Sequence, residues 1–333
     1  MPVTSPFACF RVEKHPDGRI AAGCEEATLG ELPAGDVLIR VAYSSLNYKD
    51  ALAIEGHPGV VRRFPHVPGI DLAGTVVEDG SGTYREGEEV LVTGFGLGAD
   101  TWGGYAQYAR VPAEWVVRKP DGLSLRDGMI YGTAGFTAAL CVAAFQERSI
   151  APGEGDVLVT GASGGVGCLS VAMLSKLGYR VVAATGKPSA HDFLMQLGAA
   201  EVVDRSAVGD STDRPLLAGR WRAAVDVVGG DVLANVVRSL APYGCVCACG
   251  LAGGAELRLT VYPFILRGVQ LIGITSSPTP LARRVDLWAK LAGPWRPDAL
   301  ESVATEIELA DLDAWHEKIL AGEVQGRTVV RID

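Results

Sequence analysis

The glycines that could hold a dinucleotide lie near the middle of the sequence. An apolar run, Asp156–Thr160, precedes the glycine-rich stretch Gly161–Gly167 and then Cys168–Leu177, which has helical spacing and no proline. A strand, a glycine turn and a helix are the context that a dinucleotide-binding fingerprint requires. Such glycines let the backbone approach a pyrophosphate, and the helix N-terminus offers N–H groups to the phosphates, with an unliganded turn as the alternative. The predicted phosphate-binding residues are Ser163, Gly164, Gly165 and Val166.

The end of the next predicted strand, Tyr179–Ala184, indicates which dinucleotide binds. The strand has no carboxylate for a ribose 2′-hydroxyl and is followed by Thr185, Gly186 and Lys187, while Arg205 follows the third strand. A hydroxyl, a backbone N–H and cations suit a 2′-phosphate, which an acidic residue would repel. The sequence therefore predicts NADPH rather than NADH. The alternative is that both cations are solvated surface charges.

Composition sets the broad class of the protein. With 333 residues, 48% apolar and 21% charged, the chain is long enough for two domains with sizeable cores. The net charge of −9 argues against nucleic acid or an anionic membrane as a bulk partner. Apolar runs are too short to span a bilayer, and no secretory signal pattern is visible. Together with an odd number of cysteines and no C-x-x-C pair, this predicts a reduced, cytoplasmic protein without a membrane partner.

Three of the seven cysteines alternate along one predicted strand. Cys245, Cys247 and Cys249 would share one face and act as small apolar side chains. A metal trio is the alternative, but one strand face cannot wrap an ion tetrahedrally.

The elements that must position these residues fall into two parts. The first 125 residues contain β-rich runs between turns, whereas strands and helices alternate from about Leu125 onward, after a helix over Arg126–Arg148 that is interrupted at Gly132–Gly135. Six apolar strands with crossover helices predict an α/β fold with a doubly wound parallel sheet. The final strand, Arg327–Ile332, is expected to return to the first domain. The predicted strands are Phe7–Glu13, Val37–Tyr43, Ala73–Glu78, Glu89–Thr93 and Tyr105–Val111, then Asp156–Thr160, Tyr179–Ala184, Ala200–Asp204, Ala223–Val228, Gly244–Cys249 and Val269–Ile274.

Two sets of motifs carry a resemblance to a known family. The stretches Ser44–Asp50, Val67–Gly74 and Gly132–Thr137, with the glycine-rich stretch, resemble the zinc-free, quinone oxidoreductase-like branch of the medium-chain dehydrogenase/reductase superfamily. A closer resemblance, to the acryloyl-CoA reductase subfamily, is carried by Leu46–Ala53, Thr101–Gly104, Cys249–Gly254, Pro263–Arg267 and Gln325–Thr328. The resemblance implies a GroES-like catalytic domain over 1–125 and 297–333 and a Rossmann NADPH-binding domain over 126–296.

The resemblance also implies a set of site residues. Zinc enzymes of this superfamily have a Cys where this chain has Asn47 and a His where it has Ile70, so no metal is expected. The further cofactor-binding residues, beyond the strand-end residues given above, are Tyr48, Thr137, Gly250, Leu251, Ile265, Ser276 and Arg327.

A zinc-free hydride site suits reduction of a polarised C=C bond, because hydride adds to the β-carbon and the α-carbon takes a proton. Tyr48 and Asn47 are the predicted catalytic residues. Tyr48 could donate the proton or position the nicotinamide ring or ribose, and Asn47 could orient the cofactor or the carbonyl. Asp50 is expected at a helix start. Arg327 could contact the cofactor or form an ordinary surface ion pair.

The substrate that the resemblance implies is acryloyl-CoA or a related enoyl thioester. Arg62 with Arg63 and Arg283 with Arg284 are the adjacent arginine pairs and are predicted to contact CoA phosphates, with solvated charges on a loop and a helix as the alternative. The strand Val269–Ile274 is predicted to form the sheet edge of a homodimer. The sequence thus predicts NADPH-dependent reduction of acryloyl-CoA to propanoyl-CoA. The alternatives are a quinone or alkenal reductase of the same fold and a non-catalytic NADPH-binding protein of the crystallin or redox-sensor kind.

Overall fold

A computed structural model describes residues 6–332 of the chain. The strands are β1 (Phe7–Lys14), β2 (Ile20–Ala27), β3 (Val37–Leu46), β4 (Asp71–Asp79), β5 (Glu89–Thr93), β6 (Tyr108–Val111), β7 (Val117–Arg118), β8 (Asp156–Val159), β9 (Arg180–Thr185), β10 (Glu201–Asp204), β11 (Trp221–Asp226), β12 (Leu240–Ala248), β13 (Gln270–Gly273), β14 (Ala304–Glu308) and β15 (Arg327–Arg331). The α-helices are α1 (Tyr48–Ile54), α2 (Leu125–Glu147), α3 (Gly165–Lys176), α4 (His191–Gln196), α5 (Gly230–Arg238), α6 (Tyr262–Arg267), α7 (Leu281–Ala292) and α8 (Leu312–Leu320).

The chain forms two compact units. The first unit comprises the chain through Thr133, the segment Ser277–Gly293 and the chain from Ala304 onward, and the second comprises Ala134–Ser276 and Pro294–Val303. These bounds differ from the predicted division into 1–125 with 297–333 and 126–296. The difference is mainly α7, which the sequence analysis placed in the Rossmann domain.

Helix α7 belongs to the first unit because its buried side packs there. The Tyr131 hydroxyl donates to the Leu291 carbonyl oxygen at 3.1 Å, and its ring meets Trp288 edge to face at 6.2 Å between centroids. Arg284 Nη1 donates to Thr93 Oγ1 at 2.9 Å. These contacts lie within one unit and leave α7 no role in the parallel sheet.

The second unit contains the predicted parallel sheet. Its strand order is β10-β9-β8-β11-β12-β13, and each neighbouring pair is parallel. Numbered along the chain, this is the order 3-2-1-4-5-6 of dinucleotide-binding sheets. The interior strands are almost wholly buried because α3 packs on β8 and β9 and α5 packs on β11 and β12. The predicted six-stranded doubly wound fold is therefore confirmed.

The first unit is built on a mainly antiparallel sheet of the GroES-like kind. The strand order is β14-β15-β3-β4-β5-β7, with β6 also paired to β3, and β1 pairs with β2 separately. The predicted return of the C-terminal strand is confirmed, since β15 pairs antiparallel with β3 and places Thr328 opposite Leu46. Strands β2 and β14 were not predicted, because most of their residues are exposed or half-buried and show no apolar alternation.

Helix α2 is interrupted as predicted, but only at Gly132, whose φ of 49° and ψ of −154° are not helical. By length and a mean hydropathy of 1.5 this helix could cross a membrane, yet 89% of its apolar window is buried inside the protein. Burial of this kind is typical of a core helix in a globular protein, which needs the same apolar composition.

Candidate active site: a glycine turn and a buried polar cluster

The glycine turn of the second unit connects β8 to α3 in the predicted way. A Cβ on Gly167 would overlap the Gly161 carbonyl oxygen and lie 2.7 Å from Ala162 Cα. Only glycine therefore allows the first turn of α3 to pack this closely on the end of the strand.

The residue before the helix is surrounded by more space. A Cβ on Gly164 would meet nothing nearer than the Gly161 carbonyl oxygen at 3.5 Å, and Gly164 gives α3 no side-chain cap. The amide groups of Gly165 and Val166 open the helix behind it. The N-terminus of α3 has no side-chain cap. It can therefore offer free N–H groups and the positive end of the helix dipole to a phosphate.

The cationic residues gather at the end of the neighbouring strand β9. A Cβ on Gly186 would lie 2.8 Å from Arg205 Cδ and 3.0 Å from Arg205 Nε, so the arginine side chain rests against this backbone. Lys187 N donates to Thr185 Oγ1 at 3.2 Å, and that hydroxyl lies 3.0 Å from Ser163 Oγ. The register explains the approach, since β10 pairs with β9 and ends one residue before Arg205. The Arg205 side chain, the Thr185 hydroxyl and the backbone of Lys187 thus lie together at one strand end.

The other predicted cofactor residues have different surroundings. Gly250 follows β12 at a point where a Cβ would overlap the Val227 carbonyl oxygen. The side chains of Leu251 and Ile265 are 66% and 68% exposed, which leaves them available to a ligand. Ser276 is half-buried and Thr137 is buried within α2.

The polar cluster of the first unit is centred on the Asp71 carboxylate. Oδ2 accepts from Ser45 Oγ at 2.7 Å, from Asn47 Nδ2 at 2.9 Å and from the Thr133 backbone N–H at 2.9 Å. Oδ1 accepts from Thr133 Oγ1 at 2.6 Å. Asp71 is fully buried, and these donors replace the water that its charge would otherwise need. We refer to Ser45, Asn47, Asp50, Asp71, Gly132, Thr133 and Arg327 as the Asp71 cluster.

Gly132 makes this arrangement sterically feasible. A Cβ there would lie 2.6 Å from Asp71 Oδ2, 2.8 Å from Ser45 Oγ and 3.0 Å from Arg327 Nη2. Its positive φ also breaks α2, and the break releases the next N–H from the helix toward the carboxylate. Glycine is therefore required both by conformation and by space.

Asn47 is held from both ends of its amide. Nδ2 donates to Asp71 Oδ2 and, at 3.0 Å, to Asp50 Oδ2, while Oδ1 accepts from Arg327 Nη1 at 3.2 Å. Both amide hydrogens point into the cluster, so Asn47 ties α1 to it. That Asn47 orients the cofactor or the carbonyl stays a prediction.

Asp50 lies in the first turn of helix α1, which agrees with its predicted place at a helix start. It forms a capping box with Asn47, and its Oδ1 accepts from Ile70 N at 2.8 Å. Burial and, after it, the nearby Asp71 charge raise its pKa from 3.8 to about 7, against the lowering effect of its N–H donors. A proton held near neutral pH is thus part of this cluster.

Arg327 is not a surface residue. It is 3% exposed, and Nε and Nη1 donate to the carbonyl oxygens of Ile130 and Leu46 at 3.0 and 3.2 Å. The predicted alternative of an ordinary surface ion pair is therefore wrong. Pairing of β15 with β3 brings this arginine to the cluster.

Tyr48 lies next to the cluster but faces outward. It is the first residue of α1, and its side chain is 53% exposed. Among the residues predicted as catalytic, it offers a polar group accessible to a ligand.

The predicted CoA contacts separate into two groups. Arg62 and Arg63 are exposed on the segment after α1, while Arg283 is half-buried. Arg284 is 1% exposed, and its guanidinium lies 4.1 Å from the Phe95 ring centroid. The prediction that Arg284 binds a CoA phosphate is wrong for this reason. The helical spacing of the apolar residues in the sequence indicates this burial, because the buried positions of α7 are Arg284, Leu287, Trp288 and Leu291.

Sequence reasoning named no role for Asp71, Ser45 or Thr133, although all three lie within the quoted motifs. A lone Asp at the start of a strand looks ordinary in sequence. Its role depends on three segments far apart in the chain, which only the fold brings together.

The residues at the positions where zinc enzymes of this superfamily have their ligands do not suit a metal. Ile70 is apolar and buried, and the carboxylates near it accept several hydrogen bonds each. Across residues 6–332, no group of three or more His, Cys, Asp or Glu side chains is placed to hold an ion.

Comparison with known proteins identifies the family. The model described as alcohol dehydrogenase GroES-like domain matches residues 33–121, and the model described as zinc-binding dehydrogenase matches residues 165–286. The acrylyl-CoA reductase AcuI of Ruegeria pomeroyi is 46% identical over 328 residues, which cover 98% of this chain and 99% of that protein.

Two solved structures have the same fold over the whole chain. Escherichia coli YhdH with bound NADPH has a TM-score of 0.94 at 46% identity, covering 98% of this chain and 100% of that one. Bacillus subtilis YhfP with NAD bound has a TM-score of 0.96 at 43% identity, with the same coverage. Since the identity extends over both units, the chain belongs to the quinone oxidoreductase-like family of medium-chain dehydrogenases/reductases.

Proposed function

We propose that this protein reduces the C=C bond of acryloyl-CoA to propanoyl-CoA with NADPH. The choice of substrate rests on the 46% identity to the acrylyl-CoA reductase of Ruegeria pomeroyi over nearly the full length of both chains. The reaction class, oxidoreduction of a CH–CH bond, follows from the same relationship.

The choice of NADPH rests on the end of β9. Arg205 lies against Gly186 beside Lys187, and the residues at the strand end itself contribute no carboxylate. Two cations and the Thr185 hydroxyl suit a 2′-phosphate. NADPH is also the cofactor bound to Escherichia coli YhdH, whereas Bacillus subtilis YhfP was solved with NAD.

The residues of the glycine turn would hold the cofactor by its phosphates. The backbone of Ser163, Gly164, Gly165 and Val166 would face the pyrophosphate, and Leu251 and Ile265 would add exposed apolar surface. When bound, NADPH supplies the hydride for the β-carbon of the enoyl thioester.

Tyr48 is the proposed proton donor to the α-carbon. Its exposed phenol stands on the N-terminus of α1, which Asn47 and Asp50 fix to the buried cluster. Tyr48→Phe should lower the turnover number by about 10²-fold, a typical effect of general acid loss, with little change in the Michaelis constant for NADPH. Full turnover in this variant would show that solvent supplies the proton.

The proposed reaction needs no zinc. Hydride addition to a conjugated thioester develops charge on the thioester oxygen, which hydrogen-bond donors can stabilise. Asn47 and Ile70 stand where zinc enzymes of the superfamily have ligands, and neither is a suitable one.

Binding of the CoA portion would use Arg62 and Arg63. Both are exposed, and a small apolar cluster of Val60, Val61, Ala53 and Ala99 anchors their segment to α1. Arginine is well suited to phosphate.

We also propose a cytoplasmic homodimer. Strand β13 is at one edge of the parallel sheet, and the adjacent α6 exposes Ile265 and Leu266 at 68% and 63%. An open edge beside apolar surface favours pairing with a second copy. The cysteines of residues 6–332 are free thiols, which fits a reducing compartment.

A panel of enoyl-CoAs and quinones with NADPH and NADH tests the function. We expect NADPH oxidation with acryloyl-CoA and formation of propanoyl-CoA, measured by nicotinamide absorbance and mass spectrometry. Efficient turnover of 1,4-benzoquinone with none of acryloyl-CoA would instead support the second candidate, a quinone reductase. That candidate is favoured by the 43% identity to Bacillus subtilis YhfP, which is described as a quinone oxidoreductase.

A further inference from the structure

Three thiols meet at one place in the second unit, outside the groups used above. Cys247 and Cys249 are two residues apart at the end of β12, so their side chains point to the same face. Cys141 of α2 lies over that face, and Cys247 Sγ is 3.9 Å from the Cys141 carbonyl oxygen. The Cys141 thiol is within hydrogen-bonding reach of both other thiols, and these contacts and its burial raise its pKa well above the usual value.

The three thiols differ in exposure. Cys141 and Cys247 are buried, whereas Cys249 is partly exposed. Cys249 also lies beyond the last residue of β12, where its N–H donates to the Asp226 carbonyl oxygen at 2.9 Å. A small oxidant would therefore reach Cys249 first.

We infer that Cys249 and Cys141 form an oxidation site that a peroxide converts to a disulfide between β12 and α2. The Cys249 sulfur attacks the peroxide, the O–O bond breaks, and a sulfenic acid and one water form. The Cys141 sulfur then attacks the sulfenic sulfur, so that an S–S bond replaces the S–O bond and the hydroxide leaves with the thiol proton as a second water. Two electrons pass from the two thiols to the peroxide.

Cys141 is the better second partner for geometric reasons. Alternate residues of an extended strand are separated by about 6.6 Å, near the upper limit of Cα separations in disulfides, and their Cβ vectors run parallel rather than converge. Cys141 belongs to α2 instead, and its thiol is in hydrogen-bonding contact with the Cys249 thiol as well as with that of Cys247.

The crosslink would affect the cofactor site. Cys249 directly precedes Gly250 and Leu251, and fixing it to α2 restrains the loop that these residues begin. The expected loss of NADPH turnover rests on the proposed function, whereas the disulfide does not.

Mass spectrometry of the peroxide-treated full-length protein tests the site directly. Trypsin would release Asp127–Arg148, which contains Cys141, and Ser239–Arg258, which contains Cys249. We expect these peptides joined, with fragmentation placing the bond at Cys249, and separated again by dithiothreitol. Cys249→Ser and Cys141→Ala should each abolish the joined pair of peptides. Cys24→Ser changes an exposed cysteine outside the group of three thiols and should leave the joined pair unchanged.

Two results would overturn the inference. One is peroxide-treated wild-type protein in which both peptides stay separate, and the other is a Cys249→Ser protein that forms the joined pair as readily as wild type. A crosslinked protein with undiminished NADPH turnover would overturn only the effect on the cofactor loop. Absence of enoyl-CoA reduction before any oxidation would count against the proposed function alone, because the peptide measurement needs no activity.

Discussion

Gly164 and Gly132 lack a side chain for opposite reasons. At Gly164 a Cβ would find its nearest neighbour 3.5 Å away, so the glycine leaves room for something else to approach. At Gly132 a Cβ would lie 2.6 Å from Asp71 Oδ2, so the room is already filled by the protein itself. The glycine turn is thus an open site built from backbone, and the Asp71 cluster is a closed site built from side chains.

The charges of the two regions follow the same division. Arg205 is exposed and Lys187 is half-buried beside the turn, where solvent screens them until a ligand binds. Asp50, Asp71 and Arg327 are buried, and a buried charge is tolerated only when its partners are complete. Substitutions in the cluster should therefore affect stability first, whereas substitutions beside the turn should affect binding first.

The largest effect is expected for Asp71→Ala. This change leaves the Ser45, Asn47 and Thr133 donors buried without their acceptor, and loss of one partner of a buried charge typically costs about 3–5 kcal/mol in the free energy of unfolding. Denaturant unfolding measures the change. The control is Asp298→Asn, an exposed carboxylate paired with Lys176, which should have little effect. Equal stability of the two variants would show that the cluster is not the closed site described here.

A smaller effect is expected for Gly132→Ala compared with Gly82→Ala. Both positions have positive φ, at 49° and 72°, but Gly82 has nothing within 4 Å of its Cβ position. The control variant therefore measures conformational strain alone. Crowding against Asp71 and Arg327 should make the Gly132→Ala protein less stable than the control by about 1–3 kcal/mol, the typical cost of overpacking. Equal midpoints in thermal unfolding would mean that the cluster relaxes without cost.

The open site was easier to predict from sequence than the closed one. Its residues are nearly contiguous, so Gly161–Gly167 and Thr185–Lys187 carried their meaning in local spacing. The Asp71 cluster joins residues from the ends of β3 and β4, the break in α2 and the C-terminal strand. Its parts appeared in separate motifs, but no local pattern connects Asp71 to Thr133. Arg284 is a different case, because the helical spacing of Leu287, Trp288 and Leu291 is a local pattern that indicates its burial.

The next effect concerns cofactor preference at the open site. Lys187→Ala should raise the Michaelis constant for NADPH about tenfold, because one charge-assisted hydrogen bond is worth roughly 1.5–3 kcal/mol, and leave that for NADH nearly unchanged. Steady-state kinetics with both cofactors measures the difference. Lys290→Ala, at a surface residue paired with Asp286, is the matched control. Equal changes for the two cofactors would contradict a 2′-phosphate site at the end of β9.

The last effect, which is spread over several pH units, is a slope in the pH dependence of stability. The pKa of Asp50 is raised to about 7 in the folded protein from an ordinary value of 3.8. Between these values the folded state holds a proton that the unfolded state has released. Stability therefore falls as pH rises through this window, by at most about 1.4 kcal/mol per pH unit.

The Asp50→Asn variant provides the comparison for this slope, because the amide side chain at position 50 does not titrate. Free energies of unfolding measured from pH 5 to pH 7 should fall more steeply for the wild-type protein than for this variant. Parallel curves would mean that the N–H donors from Ile70 and Asn47 keep Asp50 ionised throughout. The closed cluster would then hold an ionised Asp50 beside Asp71 and Arg327 across this pH range.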